Sequence, residues 1–360
     1  MINVLVLHNY ESPYRNKLFI ELSKYVNLTV IYLQDKRIDN RLWSVNNVSS
    51  YNCYNLFSYQ LGKISINKFS DLNRVFRQKK YDVVFLSDNL PNSISNLFLG
   101  LILKKNNIRK ILWNEDIALN QYYPEKKKIF LMINQILLKD FVDAIVSFTK
   151  LGAEYWRKET IKKVFYCQQS SLRSDELKFY NVSKKEKELK LLFVGSFTGI
   201  KNEKLLCETI YELVNEDLNI KLILIGDGRL RKFLNERYNS NTLSFLGFKE
   251  YNEICKYYQN SHFLLLPSKY DSWGMVVNES MSYGTPCIAS ASVGAKELIG
   301  DSGYIIENVN KNNLRNILLK AYSLNNEDYY NLRKKSFKYA KNYTIEVACS
   351  SLMKAIKEVI

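Results

Sequence analysis

Two carboxylates eight positions apart, Asp271 and Glu279, flank an aromatic residue, a glycine and an apolar pair within residues 264–290, LLLPSKYDSWGMVVNESMSYGTPCIAS. An apolar run at 263–266 ends at Pro267, and Val276, Val277, Met281 and Tyr283 then recur at helical spacing until Gly284 and Pro286. The pattern predicts strand, loop, helix, turn and a second strand at 287–289. In such a unit the loop after the strand and the first N–H groups of the helix make an anion site. Glu279 is placed by this reading in the first helical turn. A carboxylate there suits the helix dipole but repels a phosphate held too close, so Glu279 is expected to accept hydrogen bonds from neutral hydroxyls beside the anion. The competing reading is a bare strand-to-helix crossover with a solvated Asp and Glu.

A second candidate is LLFVGSFTGIKN at 191–202, which reads as strand, glycine loop and helix start, with Leu206, Ile210, Leu213 and Val214 on one helical face. It is not a Walker motif, because Lys201 follows Ile200 and no Ser or Thr comes next. GDGR at 226–229 lacks a third glycine at Arg231, and the first loop, HNYESPYR, lacks Gly-x-Gly-x-x-Gly, so no nicotinamide cofactor is expected.

The elements that hold these loops follow from length and pattern. A chain of 360 residues with 46% hydrophobic and 24% charged residues suits two domains, each able to bury a core. Strands expected at 2–7, 28–33, 82–87, 110–113 and 144–148 alternate with helical stretches at 17–25, 92–103 and 126–141, which calls for a parallel sheet with helices on both faces. The chain turns polar and charged at 170–190 and a new strand begins at Leu191, so the domains are expected to be 1–180, joined by a final helix at 341–360, and 181–340. That helix presents Val347, Leu352, Ile356 and Val359 as its apolar face.

Six scattered cysteines without a Cys-x-x-Cys pair read as reduced core residues of a cytoplasmic protein. Two histidines, His8 and His262, leave little material for a His-based metal site or a Ser-His-Asp hydrolase, and no Asp-x-Asp pair is present. Neither a signal peptide nor a membrane-spanning run is expected. The net charge is +16, and residues 1–180 hold 27 Lys and Arg against 16 Asp and Glu, net +11. A basic first half with two apolar helices beside Lys104, Lys105, Arg109 and Lys110 and beside residues 126–128 fits an anionic membrane surface. General solubility and ordinary sheet-covering stripes are the alternatives. The dispersed tyrosines speak against a nucleic-acid partner.

The 271–286 stretch resembles the signature of the family 4 retaining glycosyltransferases, also called group 1, of the bacterial surface-polysaccharide type. Trp273, Gly274, Met275, Glu279, Gly284 and Pro286 match it, with Asp271 where the first Glu is usual. The resemblance implies the GT-B fold, α/β with two Rossmann-like parallel-sheet domains facing a cleft. It implies transfer of a sugar, hexosyltransferase-type and with retention, from a nucleotide-diphosphate donor to a glycan or lipid-linked acceptor, without metal or cofactor. Lys201, Asp271 and Glu279 become the catalytic set, Asp271 on the sugar hydroxyls and Glu279 on the ribose diol. Gly195, Ser196, Gly226, Gly247, Phe248, Lys249, Trp273, Gly274, Met275 and Val276 become donor-binding, with Ser196 standing where an Arg is usual. Arg15, Asn114 and Glu115 become the acceptor side, Asn114 or Glu115 standing in for a missing His. The enzyme is expected on the cytoplasmic face of the plasma membrane, held peripherally. A nucleotide-sugar hydrolase or epimerase on the same fold, and a non-catalytic glycan-binding scaffold, are the alternatives.

Overall fold

Strand β1 (Asn3–His8) divides its side chains between two cores: Val4 and Val6 meet Leu18, Phe19 and Leu22, whereas Leu5 and Leu7 share a cluster with Trp156. This is the period-2 alternation of a strand buried on both faces. The computed structural model describes residues 1–33, 50–55, 58–61, 64–67, 74–76, 79–87, 108–114, 139, 141–180 and 188–360. They fall into two units, Met1–Ser171 with Ile345–Ile360, and Leu172–Thr344.

The first unit joins β1 to β2 (Asn27–Tyr32), β3 (Asn52–Asn55), β6 (Val83–Ser87), β7 (Arg109–Asn114), β8 (Ala144–Ser147) and β9 (Lys163–Tyr166) in one seven-stranded parallel sheet, in the order β3-β2-β1-β6-β7-β8-β9. A small antiparallel hairpin, β4 (Ser58–Leu61) and β5 (Ile64–Asn67), is separate. Helix α1 (Pro13–Leu22) starts earlier than the expected 17–25, because Pro13 supplies a preset φ at its first position. Helix α2 (Lys150–Glu159) puts Trp156 on the opposite face of the sheet.

The final helix, α10 (Ile345–Val359), packs on α1 and on the same core as Val4 and Phe19. Its buried face is Ile345, Ala348, Cys349, Leu352, Ala355 and Ile356; of the residues expected on it, Leu352 and Ile356 are buried and Val359 packs partly on the core, whereas Val347 is 39% exposed. The small Ala and Cys let the helix approach the sheet, and the larger valine faces out. The two basic-flanked helical stretches lie largely outside the described residues. Of their basic clusters, Arg109 and Lys110 open β7 and pair with Asp143 at 3.6 and 3.4 Å. Among the described residues no helix is long and apolar enough to cross a membrane.

The second unit is a six-stranded parallel sheet in the order β12-β11-β10-β13-β14-β15. Its strands are β10 (Leu189–Val194), β11 (Ile220–Ile225), β12 (Leu243–Gly247), β13 (Phe263–Leu266), β14 (Cys287–Ser290) and β15 (Tyr304–Ile306). Leu189, Leu191 and Phe193 of β10 pack with α3 (Glu203–Asn215), α4 (Arg231–Tyr238) and α8 (Lys311–Ser323). Leu192 and Val194 pack with α5 (Tyr251–Asn260), α6 (Met275–Ser282) and α7 (Lys296–Ile299) on the other face. Both sheets are thus Rossmann-like, as expected. In an open sheet of this kind ligands bind beyond the carboxyl ends of the strands where the strand order reverses, here between β10 and β13.

The division at 171/172 precedes the expected 180/181 because residues 172–180 pack on the second unit. Lys178 N–H donates to Ser282 O, the Phe179 ring lies against Phe337 and Tyr330, and buried Arg333, in α9 (Asn326–Ala340), donates to Tyr180 O.

Candidate active site

Three strands of the second unit end in glycines that let their loops lie against one another. Gly226 has φ +134°, and a Cβ there would sit 1.9 Å from Gly195 O. Gly195 N–H donates to Ile225 O, Gly226 N–H to Gly247 O and Phe197 N–H to Asp227 O, lacing the ends of β10, β11 and β12. Ser196 is exposed at the tip of the first loop. Lys201 follows it, and Asn202 then takes φ 55° to start α3, a left-handed conformation that Asn tolerates better than most residues.

The loop after β13 is tied to the one that carries Lys201. Lys269 N–H donates to Ile200 O at 2.7 Å, and Asn202 Nδ2 donates to Pro267 O at 2.8 Å. These bonds bring Lys201 Nζ onto Asp271 Oδ2 as an ion pair, each side chain 18% exposed. Two of the three residues expected to be catalytic therefore meet directly, seventy positions apart in the chain. Asp271 is held from behind as well. Its N–H donates to Ser292 O, its carbonyl accepts from Gly294 N–H, and its Oδ1 accepts from Trp273 N–H at 3.3 Å.

Trp273 does not face the loop. It is 2% exposed, and its Nε1 donates to Asn278 Oδ1 at 2.7 Å, so its ring anchors the loop to the core. Gly274, at φ +94°, has no room for a Cβ, which would lie 2.8 Å from Val293 Cγ1. Helix α6 opens directly after it, with Met275 and Val276 half-buried, and its start lies beside Asp271, whose Oδ2 would be 3.6 Å from a Gly274 Cβ; the first N–H groups of a helix have no partner within it.

Glu279 lies in the second turn of α6 rather than the first, since the helix opens at Met275, directly after the left-handed Gly274 and four residues before Glu279. Half-buried, its Oε2 accepts a 2.7 Å hydrogen bond from Tyr258 Oη. Tyr258 is wholly buried, and burial together with the Glu279 charge pushes its phenol well above the usual tyrosine range. The same two causes push up Tyr251, whose hydroxyl meets that of Tyr283 at 3.5 Å.

At the end of β12, Gly247 has φ +74°, Phe248 is 37% exposed, and Lys249 pairs with Glu253 at 3.4 Å. Arg231 also belongs here, although no motif in the sequence singles it out. Its guanidinium Nη2 would lie 3.1 Å from a Gly247 Cβ, and its Nη1 pairs with Asp227 at 3.5 Å. A basic residue opening a helix opposes the dipole, and that misfit is the signal the sequence offers.

In the first unit, Arg15 is 2% exposed, with its guanidinium 4.4 Å from the Phe148 ring and 4.8 Å from the Trp113 ring. It is a buried cation among aromatics, a different place from the acceptor contact expected of it. Asn114 is 2% exposed at the end of β7, and Glu115 lies outside the described residues. His8, to which the sequence pattern gives no role, sits at the end of β1. It packs on Phe19 and Trp113 where this sheet's order reverses, and burial and the Arg15 charge hold its imidazole well below the usual histidine range.

Known proteins share both the sequence pattern and the fold. Residues 174–343 match the family described as Glycosyl transferases group 1. A glycosyltransferase of Methanocaldococcus jannaschii, itself uncharacterised, is 31% identical over 173 residues, 47% of this chain and 46% of that protein. The chain spans about a third to a half of the length of the first curated relatives it matches. The sucrose-phosphate synthase of Thermosynechococcus elongatus has the same fold, with a TM-score of 0.77 at 15% identity over 99% of both chains. So has the Anabaena protein HepE, solved in complex with UDP and glucose, with a TM-score of 0.74 at 12% identity over 99% of this chain and 100% of that one.

Proposed function

We propose, from the match of residues 174–343 to the family described as Glycosyl transferases group 1, that the chain moves a sugar from a nucleotide-diphosphate donor to a glycan or lipid-linked acceptor with retention at the anomeric carbon. The observation that carries this is the meeting of Lys201 and Asp271 at the end of β10 and β13, beside the start of α6 and one turn before Glu279. A diphosphate leaving group develops negative charge as the glycosyl bond breaks, and preorganised donors stabilise it. Lys201 Nζ supplies a full charge and the α6 N–H groups a partial one, so no divalent ion is needed.

In this reading Asp271 accepts from sugar hydroxyls next to that charge, and Glu279 from the ribose diol. Retention is assigned to front-face attack. The C–O bond to the phosphate breaks, the acceptor oxygen bonds to the anomeric carbon on the same face, and the acceptor's proton passes to the departing phosphate oxygen. UDP bound to the Anabaena protein supports a nucleotide-sugar donor on this fold. The basic excess of residues 1–180 supports peripheral attachment to an anionic cytoplasmic membrane face, where a lipid-linked acceptor for a surface polysaccharide would be met.

A panel of uridine, guanosine, adenosine and thymidine diphosphate sugars tests the reading by thermal shift. A matched donor at a hundred times its Kd stabilises by about 2.7 kcal/mol, and nucleotide release is expected once acceptor glycan is added. If no nucleotide sugar moves the unfolding midpoint, the reading is wrong, and release with water alone would make the protein a hydrolase.

A further inference from the structure

A carboxylate at the end of a glutamate side chain turns about a soft terminal torsion, so a site that must receive two hydroxyls on it needs something to hold it. We propose that Tyr258 is that positioning residue: its phenol fixes Glu279 in the orientation that receives the ribose hydroxyls, and so sets the preference for ribonucleotides over 2′-deoxyribonucleotides. This rests on Glu279 being the ribose acceptor, as proposed above.

The hydrogen bond from Tyr258 Oη to Glu279 Oε2 is 2.7 Å long, and Tyr258 is 0% exposed. Tyr258 is itself held twice. Thr285 Oγ1 donates to its carbonyl at 2.6 Å, and its ring stacks on Tyr283 with centroids 6.1 Å apart and planes 13° apart. The donor therefore cannot swing away, and rotation of the carboxylate would break the bond. With its pKa raised by burial and by Glu279, the phenol keeps its proton wherever the enzyme works, so its only role toward Oε2 is to donate. A site that hydrogen-bonds a hydroxyl strongly rejects the analogue lacking it, because its own acceptor is left unmet.

The test is calorimetric titration of UDP, ADP and GDP and their 2′-deoxy counterparts into the wild-type chain, Y258F, E279Q, the double variant and Y283F. The wild type should prefer the ribonucleotide, and Y258F should lose roughly tenfold in affinity for it, the size of one charged hydrogen bond. Discrimination against the deoxy form should shrink in parallel. In assays with donor sugar, KM should rise far more than kcat falls. E279Q should also lose discrimination, and Y258F should add nothing further in its background, since Tyr258 acts through Glu279. Y283F removes a hydroxyl from the stacked ring that meets Tyr251 rather than Glu279, and should leave discrimination intact. If E279Q loses discrimination but Y258F keeps it, or if Y283F loses as much as Y258F, the positioning role is refuted while the ribose assignment stands. Full discrimination in E279Q, or tighter binding of the 2′-deoxy forms by the wild type, would instead overturn the ribose assignment, and binding of neither the three nucleotides nor their 2′-deoxy counterparts would overturn the reading of the site itself.

Discussion

Replacing Asp271 by an asparagine should tighten binding of the free nucleoside diphosphate while slowing sugar transfer. In the structure the Lys201 ammonium is engaged by Asp271 Oδ2, both side chains being 18% exposed. A diphosphate entering the site must therefore compete with Asp271 for that charge, and it meets the aspartate's own negative charge. A charge-assisted hydrogen bond contributes roughly 1.5–3 kcal/mol. The amide in D271N would retain a weaker, neutral bond to Lys201, so the net gain is about 1–2 kcal/mol, roughly five- to thirtyfold in Kd. Transfer should fall because an amide accepts less strongly from the sugar hydroxyls than a carboxylate. Titration of UDP, or of the diphosphate the donor panel selects, into D271N, K201A and the double variant measures this directly. In the K201A background D271N should gain less, since the lysine it would release is gone. If D271N binds the diphosphate no more tightly than the wild type, Lys201 is not the group that receives it.

Other perturbations have equally definite outcomes. G226A forces a Cβ to within 1.9 Å of Gly195 O at a φ of +134°, and should cost on the order of 3 kcal/mol or more. A thermal scan should show the second unit unfolding earlier, and an unchanged midpoint would refute the close crossing. Arg333 is 0% exposed and donates to the carbonyls of Ser261, Tyr180 and Tyr283 at 3.3, 3.0 and 3.2 Å. R333M would leave these without that donor and should lower stability in urea by at least about 3 kcal/mol; wild-type stability would mean the side chain is dispensable. His8 has a folded pKa below its unfolded one, so the unfolded chain takes up the proton first. Its contribution is complete above about pH 6.5 and is lost as pH falls below that, by up to about 1.4 kcal/mol per pH unit until its folded pKa is passed. H8Q should flatten this acid limb in urea titrations at pH 7.5 and 5, and an unaltered slope would remove His8 as the cause.

The architecture was legible where periodicity is strong. The apolar runs of β10, β13 and β14, and the helical spacing of Val277 and Met281, place the candidate loops at the carboxyl ends of strands in one sheet, as the structure has them. What was not legible depended on neighbours distant in sequence. Nothing near Glu279 announces Tyr258, which reaches it from a different helix. Trp273 reads as a loop aromatic, yet its indole turns inward because Asn278 offers an acceptor one turn into α6. Arg15 is expected on the acceptor side, and nothing near it in the sequence shows that the rings of Trp113 and Phe148 lie against it. The division between the units falls before Phe179 and Tyr180, which sit in a polar stretch, and composition alone does not show that Phe337 and Arg333 of α9 hold them to the second unit.

Every functional assignment above depends on where the donor sits, and a crystal structure of the chain with the nucleoside diphosphate chosen by the panel would locate it. The diphosphate should lie within hydrogen-bonding distance of Lys201 Nζ and the N–H groups opening α6, with Lys201 drawn off Asp271 and the ribose hydroxyls on Glu279. A nucleotide bound elsewhere, or one bound there with the Lys201 and Asp271 pair intact and Glu279 out of reach of the ribose, would contradict the proposed site.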